Sequence, residues 1–97
     1  MAHSGQRTQA HVMDVILRHR ADLASCAAEA RRREPGVTGK LVLRFRIEAD
    51  GAARSTEVLS LEVQDAYFTV CVREQVMPRM RFDPASGPDD IIFPFKF

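Results

Sequence analysis

The spacing of apolar positions changes several times along the chain, and each change marks an element. From Gln9 to Arg33 the apolar residues Val12, Ile16, Leu23, Cys26 and Ala30 recur at intervals of three, four or seven, with Arg18, Arg20, Asp22 and Glu29 off that stripe. This predicts one amphipathic helix. Arg31, Arg32 and Arg33 suit the negative pole of its dipole, and Pro35 and Gly36 stop it. From Gly39 to Ala49 the period becomes two, with Leu41, Leu43, Phe45 and Ile47 on one face and Val42, Arg44, Arg46 and Glu48 on the other, the pattern of a strand with one wet face. Asp50 and Gly51 supply a hairpin turn, and a second strand follows from about Ala53 to Ser60. Ala53 and Val58 differ in parity, so either a bulge intervenes or one of them faces out.

Asp65 is an N-cap candidate for a second helix running through Phe68, Cys71, Val72 and Val76 to the neighbourhood of Pro78. After a loop bearing Pro and Gly, Ile91, Phe93, Phe95 and Phe97 alternate with Ile92, Pro94 and Lys96, which predicts a last strand with an aromatic inner face. Pro94 has no N–H, so one side of that strand is irregular or an edge. The expected fold is α+β, helix-strand-strand-helix-strand, with both helices on one face of a three-stranded antiparallel sheet of order 2-1-3. The second and third strands then present free edges. Residues 1–8 show no periodicity and are expected to be a disordered leader or an appended remnant, with the folded domain spanning 9–97.

At 97 residues the chain makes one small domain, and 45% hydrophobic with 28% charged residues is the composition of an ordinary soluble globule. Lys and Arg number 14 against 13 Asp and Glu, without the basic excess of a typical nucleic-acid binder. His3, His11, His19, Cys26 and Cys71 lack the spacings of a metal site. No GxSxG elbow is present, the glycines are isolated, and Asp89 and Asp90 are neighbours whose side chains point to opposite faces of a strand. Neither an enzyme nor a cofactor is expected. Arg44, Arg46 and Arg54 fall on one sheet face, and Arg73, Arg79 and Arg81 near the end of the second helix, but the aromatics that would stack bases have the buried parity. Cys26 and Cys71 sit on the inner faces of different helices, which allows either a disulfide or two buried thiols. A bridge would stabilise so small a core and would place the domain in an oxidising compartment.

In order along the chain come Cys26 on a helix, the run Pro35-Gly36-Val37-Thr38-Gly39-Lys40-Leu41-Val42-Leu43-Arg44-Phe45-Arg46-Ile47, the hairpin Gly51, Cys71, Met80-Arg81-Phe82 and the terminal Phe93-Pro94-Phe95-Lys96-Phe97. This ordered set resembles the C-terminal domain of the AgmX/PglI family, a branch of the TonB C-terminal-like domains of envelope proteins in myxobacteria and their relatives. Ala27 and Ala28 stand where that family usually carries an aromatic and an acidic residue, and Met80 where it often carries Trp. The Tyr-Pro signature of siderophore-system members is missing. The resemblance implies a non-enzymatic periplasmic domain, tethered to the inner membrane in its full-length parent, that engages an outer-membrane or periplasmic protein and transmits energy or force across the envelope, as in gliding motility.

The leading expectation is a domain stapled by Cys26 and Cys71 that binds a partner peptide by strand addition at Ile91, Ile92, Phe93, Pro94, Phe95, Lys96 and Phe97, with Arg81 pairing an acidic peptide. Two alternatives belong to other classes. One is a nucleic-acid binder using Arg44, Arg46 and Arg54, and the other is a structural module that homodimerises by edge pairing.

Overall fold

A computed structural model describes residues 2–61 and 65–96. Its elements are β1 (Ala2–Ser4), α1 (Gln9–Arg18), α2 (Arg20–Arg33), β2 (Lys40–Ile47), β3 (Ala53–Leu61), α3 (Ala66–Val70) and β4 (Asp89–Lys96). Between α3 and β4 the helix continues as a π-helical segment, Cys71–Val76, and closes with a 3₁₀ turn, Met77–Arg79. The result is a mixed α+β domain whose sheet is built on three antiparallel strands, β2, β3 and β4.

Strand β2 lies at the centre of that sheet because its inner residues are its most apolar. Leu41, Leu43, Phe45 and Ile47 are all 2% exposed or less, while Arg44 and Arg46 between them are exposed. Burying one such side chain stabilises by ~1.5–3 kcal/mol, so a slip by one residue, which would bury the arginines instead, is strongly disfavoured. The helices cover this face with Val12, Val15, Ile16, Leu23, Ala27 and Ala30, and Phe68, Val72, Val76 and Met77 complete the core. β2 pairs with β3 on one side and with all eight residues of β4 on the other, in the expected order.

Three details differ from the expectations of the sequence, and one alternative that it left open is settled. The first helix is two, interrupted at His19, whose φ of −100° and ψ of 12° leave the helical region. His19 caps the end of α1 through its N–H to the Ile16 carbonyl (3.0 Å), and its own carbonyl accepts from Asp22 and Leu23 (3.1 Å each). Second, the parity conflict in β3 resolves as bulges. Ser55 and Thr56 together face Phe45, with Ser55 at φ 56°, and Leu59 is a further extra residue, so Ala53 and Val58 both pack on the core.

Third, the second helix is α-helical only over Ala66–Val70 before it widens into the π segment. Fourth, the polar start of the chain, expected to be disordered, contributes β1. It pairs antiparallel with β4 and makes the sheet four-stranded, in the order β1-β4-β2-β3.

The Asp50–Gly51 turn is held from outside as well as from within. Gly51 sits at φ +92°, and a Cβ there would lie 2.0 Å from the Phe82 carbonyl oxygen. Only glycine fits, and its carbonyl accepts the Phe82 N–H at 2.9 Å. That contact carries the chain from the helical layer to the start of β4.

Candidate interaction edge

Strand β4 is placed by a buried charge. Asp89, its first residue, is fully buried, and Arg7 lies across it with its guanidinium Nη1 2.5 Å from Oδ2 and its backbone N–H donating to Oδ1 at 3.0 Å. The remaining guanidinium donors reach the Asp83 carbonyl (2.7 Å), the Gly87 carbonyl (3.4 Å) and the Glu48 carbonyl (2.9 Å). One side chain thus ties together the β2–β3 turn, the loop before β4 and the start of β4. Arginine suits the role because its planar fork presents five donors in fixed directions. The neighbouring Asp90 faces outward and is exposed, as the alternation requires.

Along β4 the side chains alternate as expected. Ile91 is fully buried, Phe93 and Phe95 are half-buried against the core, and Pro94 and Lys96 are exposed, with Ile92 half-buried on the outer face. Phe97 lies outside the described residues. A partner would therefore meet Ile91 only through its backbone. The outer edge of β4 already carries a strand: Ala2 pairs with Ile92, His3 with Ile91 and Ser4 with Asp90. β1 takes three of β4's eight residues.

Arg81 lies elsewhere. It bridges Ala52 just ahead of β3, the strand at the opposite side of the sheet, and its guanidinium donates to the Pro78 carbonyl (2.6 Å) and the Met80 carbonyl (3.0 Å). The structure does not bring it to the outer edge of β4. Arg44, Arg46 and Arg54 do share the face opposite the helices, but Arg44 is ion-paired with Glu57, and Arg46 stands between Arg54 and Asp90 in adjacent strands. Among the described residues of these strands no aromatic side chain joins that face.

Cys26 and Cys71 form a disulfide, with Cα atoms 5.8 Å apart, joining α2 to the first residue of the π segment. Cys26 is buried and Cys71 half-buried. Beside it an open groove of about 350 Å³ runs between α2 and α3, lined in part by Glu29, Arg33, Tyr67, Val70 and Gln75. Arg33 in its lining contacts Asp65 at 2.8 Å and lies 5.2 Å from the Tyr67 ring centroid. Among the described residues no group of three or more His, Cys, Asp or Glu side chains could hold a metal ion, and no helix is long and apolar enough to cross a membrane.

Asp65 has the capping role that its position predicts, accepting the Phe68 N–H at 3.0 Å. Desolvation pushes its carboxyl up, but the hydrogen bonds from Arg33 and Phe68 and the Arg33 charge outweigh that and hold it below its usual value of 3.8. A carboxylate depressed in the fold stabilises above its unfolded pKa, and the gain is lost as pH falls through the folded value. Asp65→Ala is therefore expected to cost ~1 kcal/mol at pH 7, a gap to the native protein that narrows as pH falls below about 4, where the charge-dependent part is lost. Asp65→Asn, which still caps, should cost less. Urea denaturation at a series of pH values measures both.

No family model, curated protein or solved structure matches the chain.

Proposed function

We propose that this is a non-enzymatic interaction domain of the cell envelope, of TonB C-terminal-like kind, which binds an extended segment of an outer-membrane or periplasmic partner by adding it as a strand to β4. The observation that carries the reading is the β1–β4 pairing: the outer edge of β4 is competent to accept a strand, because it holds one. Backbone hydrogen bonds along such an edge supply affinity, and the alternating side chains supply specificity. The Cys26–Cys71 bridge supports an oxidising compartment, as the periplasm is. In the full-length parent a tether to the inner membrane would let the domain transmit force or position to its partner.

A titration of isotope-labelled protein with soluble strand-forming peptides tests this. Amide shifts concentrated in 89–96 and little changed by salt are the expected result. Binding that falls steeply with salt and shifts amides around Arg44, Arg46 and Arg54 would replace the reading with nucleic-acid binding. Self-association through β4, detected by sedimentation across concentrations, would replace it with homodimerisation.

A further inference from the structure

β1 is the only segment of the described residues placed on the outer edge of β4, and its pairing fixes what an added strand looks like there. It runs antiparallel to β4. It is also three residues long, so few ladder hydrogen bonds hold it, and so short a pairing opens at low cost. The residues after β1 are anchored much more firmly. Gly5 packs against Asp89, where a Cβ would fall 2.3 Å from Oδ1, and Arg7 is locked to Asp89 by side chain and backbone. Ala2–Ser4 can therefore leave the edge while the chain stays fixed from Arg7 onward and the core is undisturbed.

We propose that β1 is a placeholder for the partner strand, and that the segment replacing it runs antiparallel to β4, with an apolar residue opposite Ile92 and a basic one opposite Asp90. This inference rests on the strand-addition reading and gives it direction and sequence. The residue taking the Ala2 position stands opposite Ile92, half-buried on the outer face, and an apolar side chain pairs with it there. The next residue stands opposite Ile91, whose side chain fills the core, so it projects to the helix side at its margin, the position that His3 takes in β1. The residue taking the Ser4 position stands opposite Asp90, an exposed carboxylate with no ion pair of 4.0 Å or less among the described residues, and a Lys or Arg completes that pair.

The probe is the peptide Thr-Val-Thr-Val-Thr-Lys-Thr, blocked at both ends, and its Lys-to-Glu counterpart, titrated into the labelled full chain. The Lys peptide should shift the amides of 90–92 and bind about fivefold more tightly than the Glu peptide. In Asp90→Lys the preference should reverse. Ala2→Pro with His3→Pro removes whichever N–H faces β4, and freeing the edge should tighten both peptides about tenfold by raising the binding-competent fraction. Equal binding of both peptides at β4 in both backgrounds would overturn the assigned register, and unchanged affinity in the Pro variant would overturn the placeholder role. Either result leaves strand addition standing. Absence of shifts in 89–96 even in the Pro variant would remove strand addition itself and this inference with it.

Discussion

Arg7→Met is expected to destabilise the domain by about 3–5 kcal/mol, because it removes the guanidinium that pairs with the buried Asp89 carboxylate. At ~4–8 °C per kcal/mol for a domain of this size, the melting temperature should fall by more than 10 °C. The loss is large because Asp89 is fully buried and cannot recover water in place of the guanidinium. Arg7→Lys should rescue only part of it, since one ammonium cannot serve Asp89 and the Asp83 and Glu48 carbonyls together. The double variant Arg7→Met, Asp89→Leu should regain much of the lost stability, as buried pairs replaced by apolar groups commonly do. Thermal and urea denaturation at pH 7 measure all three. A loss under ~1 kcal/mol for Arg7→Met would mean that the pair is worth no more than an exposed one.

The second large effect is expected at the disulfide. The bridge closes a loop between residues 45 apart in sequence, for which the chain-entropy relation gives about 4 kcal/mol. Cys26→Ala with Cys71→Ala should lose that amount in denaturant melts, and reductant should bring the native protein close to the variant. Thiol counting on the unreduced protein provides the companion measurement, with no free thiol expected. A variant as stable as the native chain, or two titratable thiols, would remove the argument for an oxidising compartment.

The parts of this fold legible in the sequence are those governed by local periodicity. Leu41, Leu43, Phe45 and Ile47 announce a central strand with one inner face, Asp50 and Gly51 announce the turn, and Asp65 announces the cap. Each rests on residues within one turn or one strand of one another. The interruption at His19 left no trace because Ile16 and Leu23, seven apart, keep the same stripe whether or not one residue between them leaves the helix. Bulges in β3 were visible as a parity conflict between Ala53 and Val58, but their location depends on pairing with β2.

The site was legible in part. The alternation at Ile91 to Phe95 identified β4 and its faces, yet β1 is too short to show a period. The Arg7–Asp89 pair joins residues 82 apart, and only the fold brings them together. One signal was available: Asp89 takes the inward parity shared by Ile91 and Phe93, and a charge on an apolar row requires a buried partner. Arg81 was misplaced relative to β4 for a similar reason, since its position is set by the bridge to Ala52 and not by its distance along the chain.

The two bulges in β3 also limit how copies of this domain can add to one another. Growth by sheet extension requires every subunit to offer two regular edges, one joining the copy before it and one the copy after. With β3 kinked at Ser55 and again at Leu59, one side of the sheet is unsuited to a straight neighbour, and only the β4 side is regular along its whole pairing with β2. An addition there ends the series, because the edge needed for the next step is the kinked one. High local concentration would then give pairs and not fibres.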